Sequence, residues 1–268
     1  MRPARVTAGA AAAPVAGPEP APVVLVAHGS GDPRAARVTE ALARAVAAAR
    51  PGLPVRASYL DHGPPRPGAV LAELEAAGHR RAILVPLLLT AAYHGRVDIP
   101  RTVEAAREAG LRIPVRTTEV LGPTAQGVDP RLLAGLLRRL TEALDPVPLE
   151  RIDGVVLAAA GTRDAAARET VEQVAEAFHL ETGLPTRVGY ASAAPPTAGT
   201  AVSALREAGA RRVAVATYFL APGRLCETAL ASAREAGAVA VAAPLGDAPE
   251  LVQLVLGRVA GVLTGDSW

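Results

Sequence analysis

Two histidines and an aspartate recur at a fixed interval in the first half of the chain: 33 residues separate His28 from Asp61, and 33 separate Asp61 from His94. Neutral imidazole and carboxylate are the donors that suit divalent first-row metals such as iron, cobalt, nickel or zinc. Two or three protein donors leave coordination positions open, and an ion held that loosely can be handed on. The same groups can accept protons near neutral pH. Taken singly, each has an ordinary alternative. A histidine after a strand often closes a loop, and Ser30 or Asp32 can cap a following helix.

The elements that must position these residues follow from the apolar pattern. Val23 to Ala27 reads as a buried strand, and His28-Gly29-Ser30-Gly31-Asp32-Pro33-Arg34 is a glycine-rich loop. An Ala/Leu/Val helical pattern fills 35–49 and stops at Arg50-Pro51-Gly52. Strands are predicted at Val55 to Leu60, Ala82 to Leu89 and Val115 to Val120, and helices at Ala69 to Ala77, Arg101 to Ala109 and Pro130 to Leu144, the last closing the unit. Strands that alternate with helices and are apolar on both faces predict a parallel sheet covered on both sides. His28, Asp61 and His94 each fall at or just past the carboxyl end of a strand, where parallel sheets gather their ligand crevices.

Beyond Pro146-Val147-Pro148 the pattern repeats. Leu205 to Val215 matches Leu74 to Leu84 at an offset of 131, and Gly161-Thr162-Arg163-Asp164 stands where Gly29 to Asp32 does. A repeat that long is a duplicated domain, since solenoid repeats run to roughly 20–50 residues. The duplication is also an internal control. In the loop match His28 corresponds to Ala160, and at the offset of 131 Asp61 corresponds to Ser192 and His94 to Leu225, so the second half keeps the scaffold and lacks the donors.

Composition narrows the function classes. All 28 basic residues are arginine, and the net charge is only +2. Arginine and acid alternate in runs such as Arg101 to Arg107, which reads as solvated helix faces, and aromatics make up 3%, so little is present to stack bases on. Nucleic acid is not expected as a partner. No apolar stretch approaches the ~18–20 residues of a membrane span. With one cysteine, Cys226, no disulfide can form within the chain, and a cytoplasmic location is expected. The Ala/Pro/Gly-rich residues 1–21 read as a disordered tail.

Two motifs carry a resemblance. Val24-Leu25-Val26-Ala27-His28-Gly29-Ser30, continuing through Asp32-Pro33-Arg34, and Val85-Pro86-Leu87-Leu88-Leu89 with His94 and Asp98-Ile99-Pro100, resemble the sirohydrochlorin chelatases, the ATP-independent class II chelatases of tetrapyrrole biosynthesis. The resemblance implies the long form: two fused chelatase-like α/β domains, each with about four mostly parallel strands flanked by helices, facing across a cleft. The expected division is 22–146, with the histidines, and 147–268, without them. It implies insertion of Co2+ or Fe2+ into sirohydrochlorin, for sirohaem or cobalamin, with His28 and His94 as metal ligands. Asp61 maps onto an assisting acid that is usually glutamate. No cofactor beyond the substrate metal is implied. Fusing two domains in one chain leads us to expect a monomer.

Sirohydrochlorin carries carboxylates around an apolar macrocycle, and arginine grips carboxylates in bidentate fashion. Arg34, Arg96 and Arg101 flank the first-half motifs, and Arg163 and Arg224 hold comparable positions in the second. His62 is read as a turn residue, His79 and His179 as surface groups, and Cys226 as a packing residue. The competing class is a non-catalytic metal or tetrapyrrole carrier of the same fold. A histidine phosphatase would need arginine directly before His28-Gly29, where Ala27 stands, and a Walker-type phosphate loop is impossible without lysine.

Overall fold

The computed structural model describes residues 20–90 and 98–264. In the first half, β1 (Val23–Ala27), β2 (Val55–Tyr59), β3 (Ala82–Pro86) and β4 (Val115–Thr117) form one parallel sheet in the order β2-β1-β3-β4. The second half repeats it with β5 (Gly154–Ala159), β6 (Thr186–Tyr190), β7 (Val213–Thr217) and β8 (Ala240–Val241), in the order β6-β5-β7-β8. Crossover helices α1 (Pro33–Ala49), α2 (Pro67–Ala76), α3 (Ile99–Glu108), α5 (Ala165–Thr182), α6 (Ala198–Glu207) and α7 (Arg224–Glu235) join the strands. Each half is followed by one further helix, α4 (Pro130–Leu144) and α8 (Pro249–Thr264).

The period-2 alternation of a strand explains the layers. Val23, Leu25, Ile83 and Val85 point into one apolar cluster, while Val24, Val26 and Leu84 point into another on the opposite face. Val155 and Leu157 against Val156 and Ala158 repeat the division in the second sheet. Helix starts follow local chemistry. Asp32 and Asp129 each precede a proline and accept a backbone N–H from Arg34 and Arg131, and Asp164 and Thr197 cap α5 and α6 likewise.

The last helices depart from the expected organisation. Helix α4 does not close the first unit. It packs on β7, β8 and α5 of the second sheet, while α8 packs on α1 and β3 of the first. The two helices also pack on each other, with Arg138 pairing with Glu250 at 2.6 Å and Arg139 Nε donating to the Leu245 carbonyl. Leu132, Leu136 and Leu140 of α4 are buried in a cluster that runs from Leu25 and Ile83 to Leu157 and Ala216. One core is therefore shared by both halves, a link that a boundary near 146 does not convey. Ala21, placed by sequence in the tail, is 3% exposed and joins this core. The rest of that tail, residues 1–19, lies outside the described residues.

Candidate functional site

Backbone pairing fixes the first two donors. The β1–β2 ladder continues past the strands, with Leu60 N–H donating to the Ala27 carbonyl and Asp61 N–H to the His28 carbonyl at 2.8 Å. Gly29 makes that approach possible. Its φ is +95°, and a Cβ there would lie 2.1 Å from the Asp61 carbonyl oxygen, so no larger residue fits. Beyond it, Ser30 Oγ accepts the Asp32 N–H, and Asp32 starts α1.

His28 and Asp61 line one cleft of about 430 Å³, together with Leu60, Asp98, Arg101 and Thr102. Asp98 and Thr102 belong to the start of α3, and Thr102 Oγ1 donates to the Asp98 carbonyl. Asp61 is held below the ordinary carboxylate range, chiefly by the His62 N–H on Oδ1 at 2.8 Å and next by the His62 imidazole, with Arg66 and His28 adding to the effect. The carboxylate is thus ionised and open to solvent, suited to a cation. His62 is more than a turn residue. Its ring centroid lies 6.3 Å from that of His28, and its Nε2 lies 3.8 Å from Asp61 Oδ2. Among the described residues, no three His, Cys, Asp or Glu side chains converge on one point.

His94 lies outside the described residues, as do Tyr93 and Arg96. The structure nevertheless corrects its comparison with Leu225. The offset of 131 holds from β3 to β7, but Gly110 and Gly237, ending the matching Ala-Arg-Glu-Ala-Gly runs, are only 127 apart. The β3–α3 connection, residues 87–98, is longer than its counterpart at 218–223. Leu225 already lies within α7 and is no strand-end residue. For the other two donors the comparison holds at the backbone. Ser192 N–H donates to the Ala160 carbonyl at 3.2 Å, and a Cβ on Gly161 would lie 1.9 Å from the Ser192 carbonyl oxygen.

The halves meet beside this site. Arg34, at the start of α1, pairs with Asp32 and reaches Glu227 on α7, and Ser30 Oγ lies 3.5 Å from where a Gly223 Cβ would stand. Tyr218, buried after β7, donates its hydroxyl to the Leu89 carbonyl at 2.7 Å. Arg34 is therefore engaged by two carboxylates, whereas Arg101 lines the cleft and Arg163 and Arg224 are exposed. Burial pushes the Cys226 thiol up to about 11, in keeping with a packing residue. His179 is tied to the Leu184 carbonyl at 2.8 Å, at the end of α5. Asp98 and His62 escaped the sequence reading of the site. The available signal was that His62, like its neighbour, loses its ionisable group in the second half, where Ala193 stands.

Comparison with known proteins agrees with this architecture. SirB from Bacillus subtilis with Fe3+ superposes with a TM-score of 0.76 at 19% identity, covering 90% of this chain and 95% of that one. The sirohydrochlorin chelatase SirB from Bacillus subtilis subspecies spizizenii in complex with cobalt gives 0.72 at 19% identity, covering 89% and 93%. CbiX, described as the terminal enzyme for biosynthesis of siroheme in denitrifying bacteria, gives 0.65 at 23% identity, covering 92% and 100%. At these identities the likeness shows a shared fold. No curated protein matches the chain. Among the described residues, no helix is long and apolar enough to cross a membrane. The CbiX family model, however, matches residues 22–143 and again 154–262, one match for each half, and on that ground the chain belongs to the CbiX family.

Proposed function

We propose that the protein is a sirohydrochlorin chelatase, inserting Co2+ or Fe2+ into the macrocycle without ATP or a resident cofactor. The observation that carries this reading is the placement of His28 and Asp61 on one cleft of a fold whose second half keeps the same backbone with Ala160 and Ser192. The CbiX family match supports it, as do the iron and the cobalt held by the Bacillus SirB structures.

The chemistry makes two demands. A divalent ion must be held loosely enough to leave, and two pyrrole N–H protons must be taken up as it enters the ring plane. In this reading His28 and His94 hold the substrate metal. The ionised Asp61 on the cleft wall orients an imidazole, which takes the proton. Arg101 is placed to meet a substrate carboxylate at the cleft wall. The second half comes up beside the cleft, where its Glu227 is reached by Arg34, and in this reading it meets the macrocycle from that side. We further propose that the protein works as a monomer in the cytoplasm, with no nucleic-acid or membrane partner.

An anaerobic absorbance time course with sirohydrochlorin and either Co2+ or Fe2+ tests the reading. A metal-dependent spectral change faster than the protein-free control supports it. Metal or macrocycle binding without acceleration would overturn it in favour of a carrier.

A further inference from the structure

His62 stands outside the mechanism above, yet its surroundings are those of a metal donor. Its backbone N–H holds Asp61 Oδ1 at 2.8 Å, and the Arg66 guanidinium lies 4.0 Å from that same oxygen. This leaves Oδ2 turned towards the His62 imidazole, with Nε2 at 3.8 Å and both side chains about half exposed. Donors at ~2.1 Å from a tetrahedral ion stand roughly 3.4 Å apart, so a small side-chain adjustment brings the pair around one cation. The remaining positions would be filled by water.

The duplication separates scaffold from chemistry at this position. His62 has φ of 61°, in the left-handed region that disfavours ordinary side chains, and its counterpart Ala193 has φ of 65°. The turn therefore forms with alanine, and neither the imidazole nor the carboxylate is required to make it. Nor does stability account for the pair, since an exposed ion pair contributes only about 0–1 kcal/mol. Asp61 also sits where two cavities meet. It lines the cleft containing His28 and, with Arg66 and Leu60, an open groove of about 740 Å³ between α2 and α3. A cation held by Asp61 and His62 would stand at the mouth of the cleft, beside the His28 ring.

We propose that Asp61 Oδ2 and His62 Nε2 form an outer two-donor station that takes up a divalent cation from solution before it passes to His28. The passage to His28 rests on the chelatase reading, but capture by the pair does not. Transfer is an exchange of ligands on one ion, with His62 and water replaced first and Asp61 last, so no redox step or co-reactant is needed.

The test is a calorimetric Co2+ titration of the full-length apo-protein without tetrapyrrole, comparing wild type with His62→Asn, His62→Gly and His28→Asn. Asparagine and glycine both tolerate the left-handed backbone, and matching melting temperatures establish that the turn is intact. The expected result is Co2+ affinity at least about tenfold lower in both His62 variants, in line with the 10–100-fold losses seen when metal-supporting residues are removed. Wild-type affinity in both His62 variants, with a loss only in His28→Asn, would overturn the station and leave the chelatase reading standing. Unchanged affinity in all three would overturn both.

Discussion

The Asp61 N–H donates to the His28 carbonyl at 2.8 Å, and one repeat later Ser192 makes the same bond to Ala160 at 3.2 Å. The backbone that brings two ends of neighbouring strands together is common to both halves, and only the first half dresses it with ionisable side chains. A glycine secures the arrangement each time. Replacing Gly29 or Gly161 by alanine should each cost more than about 1 kcal/mol, because both have positive φ and no room for a Cβ. Chemical denaturation measures this. The two variants should differ in function, since displacing Asp61 disturbs the donors whereas displacing Ser192 does not.

The exchange of α4 and α8 makes each half depend on a helix from the other. Leu136 and Leu140 belong to the first half by sequence but are buried, at 1% and 0% exposure, in the shared core. Leu136→Ala or Leu140→Ala should each cost about 2–5 kcal/mol. Scanning calorimetry should show one transition for the whole chain, moved to lower temperature in the variants. Two separated transitions, only one of them moved, would contradict the shared core.

Cys226 is 3% exposed, and burial raises its thiol to about 11. At pH 8 the native protein should resist iodoacetamide, while the urea-unfolded chain should be alkylated fully. Cys226→Ala should leave macrocycle conversion unchanged. Rapid native alkylation, read by mass spectrometry, would contradict the assignment.

Asp32 caps α1 and pairs with Arg34. The Arg34 side chain, and then its backbone N–H, lower the Asp32 carboxyl from 3.8 to about 2. A carboxyl depressed in the folded state stabilises above its unfolded value and loses that contribution as pH falls through the folded value. Asp32→Ala should therefore melt below wild type at pH 7 and still do so at pH 5. The difference should narrow as pH falls from 4 towards 2, and a constant gap across that range would contradict the assignment.

Much of this could be read from the sequence because it is local. The strand at Val23–Ala27 and the helix at Pro130–Leu144 were bounded by their own residues, the first by the glycine loop after it and the second by Asp129-Pro130 before it. The strands expected to reach Leu89 and Val120 end at Pro86 and Thr117, although Leu87 and Thr118 still donate to Val26 and Leu84. What sequence periodicity could not disclose was the partner of a buried face. The leucine stripe of α4 shows that it is covered, and only the fold shows that the second sheet covers it. The site followed the same rule. His28 and Asp61 were marked by type and by loss in the repeat, while His62 was obscured by its turn setting before Gly63-Pro64-Pro65. A single offset could not serve for His94, because the chain changes length between β3 and α3.

The central claim is that the chemistry belongs to the first half, with the second retaining the scaffold. Initial rates of metal-dependent sirohydrochlorin conversion in His28→Ala and Ser192→Ala, at matched metal and substrate, test it most directly. The account predicts a loss of at least about 100-fold in His28→Ala, the scale of removing a residue that moves a proton or holds the reacting ion. Ser192→Ala, which leaves the backbone bond to Ala160 in place, should keep the wild-type rate. Equal losses in both variants, or none in either, would contradict it.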